Sequence, residues 1–216
     1  MQSEPCWLYS LVELAYRMET KVTTLIEGYA KETDGGWLAS SSTVLIKDSG
    51  KNVIVDPGIN RALLLKKLAD AGLTVADIDV VFMTHYHPDH NFLTAIFEKA
   101  LVLDGDMIYE GDKETPYKGK IPGTEIEVLP TPGHAHEHCS LLAHTDEGDV
   151  VVAADVFWWM DNEDQKVDDY ATLVNRQDPF VKDEKALVES RKKVLQIADW
   201  IIPGHGKMFE NPHKNH

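Results

Sequence analysis

The stretch that decides the fold is IDVVFMTHYHPDH, residues 78–90, where an apolar run leads directly into three histidines and an aspartate. The run IDVVFM is rich in β-branched residues and predicts a buried strand. Residues two positions apart in an extended segment project to the same side, so His85 and His87 can bind one ion together. The chain then turns into a predicted helix. The first turn of this helix points Asp89 and His90 away from the side that His85 and His87 share. The pattern predicts a metal site with room for a second ion ~3.5–4 Å from the first.

Four more polar residues stand directly after apolar strands. They are Asp56 after KNVIV, His134 in TPGH after IEVLP, Asp155 after DVVVAA, and His205 in PGHG after WII. Loops at strand ends are where rigid scaffolds carry functional groups, so these ends are expected to converge on the 85–90 segment. Alone, Asp56 fits a turn residue, whereas an acid that ends an apolar strand, as Asp155 does, is costly unless paired or metal-bound. Imidazole nitrogen and carboxylate oxygen suit Zn²⁺, with Fe or Mn as alternatives.

Strands and helices alternate along the chain. The predicted strands cover 22–29, 42–48, 51–56, 78–84, 101–109, 124–129, 141–144, 149–154 and 200–203, and the predicted helices cover 60–72, 87–100 and 181–198. Several strands are joined by short turns, which favours helices on the outside of a β-sandwich over one doubly wound sheet. The prediction is an α/β (α+β) single domain over 1–216, with a core about 20–209 and a tail over 210–216. His213 and His216 are expected to be disordered there.

Composition limits the class of partner and the compartment. The formal net charge of −15 argues against a basic surface that tracks nucleic-acid phosphates, although bound divalent cations would reverse the local field. Cys6 and Cys139 are far apart, so no disulfide framework is predicted. The N-terminal segment 1–21 lacks the pattern of a signal peptide, and no run approaches the ~20 apolar residues that span a bilayer. The sequence predicts a soluble, cytoplasmic protein without a membrane partner.

Other conspicuous side chains are not predicted to bind metal. His136, His138 and His144 lack ligand spacing and are expected to be near the site without coordinating. Within FWWM (157–160), Trp158 or Trp159 is expected in the core or a homodimer interface. The alternative is that these rings form a pocket wall or stack a base.

These motifs resemble those of the metallo-β-lactamase fold superfamily. THYHPDH resembles its H-x-H-x-D-H motif, TPGH its third-histidine loop, PGHG its final ligand loop, VDPG its first acidic motif, and Asp155 its bridging aspartate. IEGY (26–29), TPGHAHEHCSL (131–141) and the segment 189–209 resemble one family within it, that of metallo-β-lactamase domain-containing protein 1. One departure is Ala154, which stands where the superfamily usually has glycine before the aspartate.

The resemblance implies an αββα metallo-β-lactamase-like sandwich with a dinuclear site, two Zn²⁺ per chain, at one edge. By resemblance, His85, His87 and His134 would bind the first metal, Asp89, His90 and His205 the second, and Asp155 both, with Asp56 orienting a ligand through a hydrogen bond. The implied activity is that of a hydrolase that uses a metal-bridging hydroxide on an ester, thioester, lactam or phosphodiester bond, with Asp89 as general base.

Three alternatives stay open at this point. They are a compact RNA endonuclease of the same fold, an iron-dependent persulfide-type dioxygenase, and a non-enzymatic metal-binding protein. The substrate is accordingly expected to be a small molecule or RNA. A dedicated β-lactamase is disfavoured, because the zinc β-lactamases usually carry a cysteine at the second site where this chain is expected to use Asp155.

Overall fold

The structure, a computed structural model, describes residues 19–214. The N-terminal segment discussed above, with Cys6, lies largely outside the described residues, as does His216. Within residues 19–214, no helix has both the length and the apolar character needed to cross a bilayer.

Short strands make up most of the regular structure. The strands are β1 (Lys21–Ile26), β2 (Tyr29–Thr33), β3 (Gly36–Ser40), β4 (Thr43–Asp48), β5 (Lys51–Val55), β6 (Val80–Phe82), β7 (Leu101–Leu103), β8 (Met107–Glu110), β9 (Lys113–Pro116), β10 (Glu127–Pro130), β11 (Cys139–Thr145), β12 (Gly148–Trp158), β13 (Trp200–His205) and β14 (Phe209–Glu210). The helices are α1 (Arg61–Asp70), α2 (Pro88–Asn91), α3 (Tyr170–Val174) and α4 (Glu184–Ile197), and Val75–Asp77 and Thr94–Ile96 form 3₁₀ turns.

Two sheets pack face to face. Successive side chains of a strand point alternately to the inner and the outer face of its sheet, so each strand contributes apolar residues to the core between the sheets. One sheet has the order β1-β4-β5-β6-β7-β8-β9 and the other β10-β11-β12-β13-β14. In β4, Val44 and Ile46 enter the core between the sheets, whereas Leu45 joins a second cluster on the outer face. In β12, Val150 and Val152 point inward in the same way, and Val151 points outward. This period of two is what a sandwich requires, since each strand must serve two buried faces.

Helices cover both outer faces, which confirms the predicted αββα sandwich. Leu64 and Leu68 of α1 pack on the outer face of the first sheet. Val194 and Leu195 of α4 pack with α3 on the outer face of the second. Asn60 caps the start of α1, because its side chain accepts a hydrogen bond from the Leu63 backbone N–H.

Strand direction brings the polar strand ends to one edge. β5 runs parallel to β6, and β12 runs parallel to β13, so within each pair the carboxyl ends lie side by side. β10 is antiparallel to β11, and β11 is antiparallel to β12, so the loop that follows β10 reaches the same edge as the end of β12. A third, two-stranded sheet of β2 and β3 stands beside this edge as a separate hairpin.

Two predicted elements have different boundaries in the structure. The helix expected over 87–100 is helical only over α2 and is followed by a 3₁₀ turn. The reason is tertiary: the His90 carbonyl accepts from the Gly58 amide, and the Leu93 amide donates to the Gly58 carbonyl. These bonds to the neighbouring loop replace the i→i−4 bonds of a longer helix. The strand expected to end at 154 continues to Trp158 as β12.

The described part of the segment predicted as a tail packs against the rest of the domain. Glu210 belongs to β14, and the Asn211 side chain donates to the carbonyls of Leu195 and Ala198 at the end of α4. His213, expected to be disordered, is buried, and its Nε2 lies 3.1 Å from the Val167 carbonyl oxygen. The segment is ordered because it satisfies carbonyls that the end of a helix leaves without partners.

Candidate metal centre

The first group of side chains combines the segment after β6 with the loop after β10. His85 and His87 lie on the extended segment that follows β6, and their ring centroids are 4.6 Å apart. His134 approaches from the other sheet, with its Nε2 3.0 Å from His87 Nδ1. Together with Asp155, these residues have ligand atoms that all lie within 4.8 Å of one another. A single ion can therefore contact nitrogen atoms from both sheets.

The second group lies one helical turn further along the chain. Asp89 and His90 are in α2, with Pro88 at its first position, and the helix turns both side chains towards the end of β13. His205 Nε2 lies 3.2 Å from Asp89 Oδ2. Asp89, His90 and His205 form a second set whose ligand atoms lie within 4.8 Å of one another.

Asp155 stands between the two groups and presents one oxygen to each. Its Oδ2 lies 3.1 Å from His134 Nε2 and 3.7 Å from His85 Nε2. Its Oδ1 lies 3.3 Å from His90 Nε2 and 3.8 Å from His205 Nε2. The structure thus brings together all seven residues that the sequence analysis assigned to metal binding.

Polar groups behind the ligands fix their rings. Asp56 is not in either group, and its Oδ2 lies 2.8 Å from His90 Nδ1, on the far side of that ring from Asp155. The same oxygen accepts the Thr84 hydroxyl hydrogen bond, while Thr84 Oγ1 is 3.0 Å from His85 Nδ1. One carboxylate thus orients two imidazoles, the arrangement that sets which nitrogen faces a metal. His205 Nδ1 is held separately, 3.0 Å from the Tyr29 carbonyl oxygen.

Asp178 is a functional residue that the sequence analysis missed. Its Oδ2 lies 2.7 Å from His134 Nδ1, and its Oδ1 accepts the backbone N–H of Phe180 at 2.9 Å. It is buried in the irregular segment between α3 and α4. The only sequence signal was an acidic residue before a proline, which is common in turns, so spacing alone did not distinguish it.

The backbone is strained on both sides of the site. Asp56 has φ of 47° and Ala154 has φ of 45°, in the left-handed region that costs an L-residue about 1–2 kcal/mol. At Ala154 the pairing of β12 with β13 shifts register, which produces the kink immediately before Asp155. Glycine adopts this φ without strain, whereas Ala154 does not. Gly204 is constrained differently, because a Cβ there would lie 1.8 Å from Asp155 Oδ1.

The electrostatics of the site favour cations. Burial opposes charge on His90, yet Asp155 and Asp56 raise its pKa well above the usual value. Burial likewise opposes protonation of His134, but hydrogen bonds to Asp155 and Asp178 raise its pKa to about 9. Burial would raise the pKa of Asp155, and the surrounding histidines, His90 first, instead lower it well below the ordinary range. The buried carboxylates therefore attract positive charge, whether from protons or from a metal ion.

Atoms without partners show that the residues fit a metal. His85 Nε2, His90 Nε2 and Asp155 Oδ1 are buried side-chain atoms with no hydrogen-bond partner. Buried polar groups are rarely left so, because each loses its hydration without replacement. All three point into the space between the two groups, and their chemistry, imidazole nitrogen and carboxylate oxygen, matches a divalent metal.

A cavity of about 470 Å³ opens above these residues. His87, Asp89, His134, Asp155 and His205 line its base. The remaining lining, which we call the apolar wall, consists of Ala30, Trp37, Ala39, Ile59, Pro88, Trp158 and Phe180. We call the seven residues of the two groups the metal floor.

The two tryptophans of FWWM lie in different environments. Trp158 lines the cavity, with its ring centroid 5.8 Å from that of Phe180. Trp159 belongs to the core under α3 and α4, and the Arg176 guanidinium lies 5.0 Å from its ring centroid. The core placement expected for this segment is thus confirmed for Trp159, while Trp158 contributes to the pocket wall.

The remaining histidines lie outside both groups. His136 and His144 are exposed, and His144 Nδ1 is 2.6 Å from Asp149 Oδ1. His138 is buried behind His85, with ring centroids 5.0 Å apart, and its Nδ1 lies 3.0 Å from Thr131 Oγ1. Burial lowers the pKa of His138 to about 3, so its ring is neutral at physiological pH.

Comparison with known proteins gives consistent matches. Residues 35–205 match the sequence profile described as Metallo-beta-lactamase superfamily. The chain is 31% identical over 198 residues to metallo-beta-lactamase domain-containing protein 1 of Xenopus laevis, covering 87% of this chain and 80% of that protein. It is 30% identical over 150 residues to a probable metallo-hydrolase of Methanocaldococcus jannaschii, covering 66% and 64% respectively.

Solved structures agree on the fold. A crystal structure from Thermotoga maritima, assigned to the metallo-beta-lactamases, superposes with a TM-score of 0.65 at 20% identity, covering 89% of this chain and 99% of that chain. The predicted likeness in sequence and fold is therefore confirmed.

Proposed function

This chain belongs to the metallo-beta-lactamase superfamily, and we propose that it is a hydrolase that works with two divalent metal ions, most simply zinc. The observation that carries the proposal is the position of Asp155, which offers one carboxylate oxygen to each of two groups of ligands. A carboxylate between two cations offsets their mutual repulsion, so the arrangement suits a pair of ions better than one.

The seven residues of the metal floor would bind the two ions in two sets that share Asp155. His85, His87 and His134 would hold one ion, Asp89, His90 and His205 the other, and Asp155 would contact both. When bound, such ions would lower the pKa of a coordinated water towards ~7 and would polarise the substrate oxygen. The single-ion alternative leaves His90 Nε2, a buried atom without a hydrogen-bond partner, unexplained.

Asp89 is the side chain placed to move a proton. Both Asp89 and Asp155 line the cavity, but Asp89 is only half-buried, and a carboxylate that holds a metal ion must be deprotonated. Asp89 is therefore ionised at neutral pH and can accept a proton from the attacking water. The water oxygen adds to the substrate carbon or phosphorus, the bond to the leaving group breaks, and the proton passes from Asp89 to the leaving group.

The proposal is tested by metal content and a substrate panel. Purified protein is analysed by mass spectrometry for metals, and then assayed with an ester, a thioester, a lactam and an RNA oligonucleotide. We expect two equivalents of a divalent metal and turnover of at least one substrate that Asp155→Asn abolishes. His144→Ala is the matched control, because His144 is exposed and pairs only with surface carboxylates.

Other results would replace the proposal. Predominant iron with oxygen consumption would indicate a dioxygenase. RNA cleavage with a steep loss of affinity on adding salt would indicate a nuclease with a basic groove. Metal-loaded protein without turnover of any substrate in the panel would indicate a non-enzymatic metal-binding protein.

A further inference from the structure

The cavity above the metal floor has two chemically distinct sides. Charged and titratable side chains occupy only the base, as described above. The walls are contributed by the hairpin β2–β3, the loop after β5, the start of α2, the end of β12 and the segment between α3 and α4, and those residues are all apolar. A substrate whose reacting bond reaches the base therefore has its remaining atoms against hydrocarbon and aromatic surface.

Three aromatic rings of this wall lie close together. The ring centroids of Trp37 and Phe180 are 6.1 Å apart with an interplanar angle of 72°, and the centroid of Trp158 is 5.8 Å from that of Phe180. Trp37 is 53% exposed and Phe180 is 43% exposed, although both are large apolar residues. Such exposure at a concave surface marks a ligand site, because covering these rings with an apolar group releases water from both.

Charge excludes the competing class of ligand. No Lys or Arg is among the cavity-lining side chains of residues 19–214, whereas Asp89 and Asp155 are. A phosphodiester chain presents several phosphates besides the one that reacts, and these would find no cation on the wall. An uncharged substituent needs no such cation.

We propose that the cavity accepts an uncharged, apolar acyl or aryl group, so that the substrates are neutral carboxylic esters or thioesters rather than nucleic acid. The proposal rests on the proposed hydrolase function, whose reacting bond it places over the metal floor. The volume of about 470 Å³ falls in the range of small-molecule pockets and accommodates an aryl ring or a medium-length acyl chain. The recognition is hydrophobic, so affinity should grow with the apolar area of the group.

A chain-length series with the metal-loaded enzyme tests the substrate class. The probes are p-nitrophenyl esters from acetate to octanoate, and kcat/KM is expected to rise about three- to fourfold per added methylene until the cavity is filled. An ester of equal length that ends in a carboxylate should be at least about tenfold poorer, since it brings charge against the wall. Equal rates for short, long and charged esters would overturn the substrate class while leaving the hydrolase intact.

The hairpin supplies a matched pair of variants. Trp37 and Leu38 are adjacent in β3, are similarly exposed, and point to opposite sides of the strand, and only Trp37 lines the cavity. Trp37→Ala and Phe180→Ala should flatten the chain-length dependence, lowering kcat/KM for octanoate about tenfold or more and for acetate less than about threefold. Leu38→Ala should leave the dependence unchanged. Equal losses for Trp37→Ala and Leu38→Ala would overturn the assignment of the wall.

Binding without turnover separates this inference from the proposed function. Octanamide and acetamide are titrated into metal-free protein by calorimetry, and we expect octanamide alone to bind, with binding lost in Trp37→Ala. If octanamide binds in this way but no ester is hydrolysed, the apolar subsite stands and the hydrolase proposal fails. If esters are hydrolysed but neither amide binds and chain length has no effect, the hydrolase stands and the subsite is overturned.

Discussion

The metal floor and the apolar wall share one cavity but are built in opposite ways. Every histidine of the floor except His87 is buried, and His85, His90, His134 and His205 each have a polar partner behind the ring. The wall, in contrast, is contributed partly by exposed aromatic rings on a hairpin whose strands pair only with each other and on an irregular segment. The difference indicates that the sandwich fixes the positions of the floor residues. Side chains of the wall can therefore be substituted without moving the floor.

The largest effect is expected where the floor is broken at its centre. Asp155→Ala and His134→Ala should each lose metal and reduce turnover by at least about a thousandfold, because ion-based stabilisation is worth several kcal/mol. Metal analysis and steady-state kinetics measure this. Both variants should still bind octanamide, because the wall is unchanged. If a folded variant lost both metal and octanamide binding, floor and wall would not be independent.

A tenfold to hundredfold effect is expected at Asp178, a carboxylate that joins the floor to the wall. Asp178 accepts from His134 with one oxygen and from the Phe180 amide with the other. Asp178→Asn replaces an acceptor by a donor, so metal affinity should fall by about 10- to 100-fold. Competition with a chelator measures the affinity.

The matched control for Asp178 is Asp168→Asn, which makes the same chemical change at an exposed position of a nearby loop. Asp178→Glu should recover part of the affinity, since it restores a carboxylate. An unaltered metal affinity in Asp178→Asn would show that the packing of His134, rather than this hydrogen bond, orients its ring.

A smaller effect is expected directly behind the floor. His138 touches the His85 ring but belongs to neither ligand group. His138→Ala should keep two metals per chain and change turnover by less than about threefold, while lowering the free energy of unfolding by about 2 kcal/mol through the cavity it leaves. Loss of a metal in His138→Ala with retention in His134→Ala would show that the ligands in this loop are wrongly assigned. Urea unfolding and metal analysis give the two numbers.

The smallest effect is expected at the backbone kink. Ala154→Gly relieves the left-handed strain of about 1–2 kcal/mol but gives the unfolded chain about 0.5–1 kcal/mol more entropy to lose. The unfolding free energy should therefore rise by about 0–1.5 kcal/mol, with turnover changed less than twofold. A large change in activity would mean that the geometry of Asp155 depends on this strain rather than on its side-chain contacts.

The floor could be predicted from the sequence, whereas only Trp158 of the wall was suggested, as one of two alternatives, and the reasons are physical. Histidine and aspartate at spacings two and three residues apart, directly after apolar strands, are uncommon and carry their own geometry. Trp37 and Phe180 have no such signature, because an apolar residue in a short hairpin or loop resembles any surface or core residue. Asp178 pairs with His134 across 44 positions of sequence, and only the folded chain brings them together.

Tertiary contacts that the sequence does not display also explain two other differences from prediction, in the helix expected over 87–100 and in the C-terminal segment. The segment after Asp89 has helical periodicity, but hydrogen bonds to Gly58 determine its structure. Asn211 and His213 lie in a polar sequence and are nevertheless ordered, because the end of α4 needs donors that the sequence pattern does not display. In both cases a tertiary partner overrides a local preference.

The connection between β1 and β4 bears on how proteins of this kind diverge. These two strands pair directly, with Ile26 opposite Thr43, so the hairpin β2–β3 is an excursion from two neighbouring strands of the large sheet. Its base is constrained, since the Tyr29 carbonyl accepts from His205, whereas its turn at Asp34–Gly35 is exposed. Insertions, deletions and exchanges at that turn would leave the strand register and the residues of the metal floor in place. Descendants of one ancestral gene can therefore keep the metal floor and its reaction, while mutations in the hairpin change which substrates are accepted.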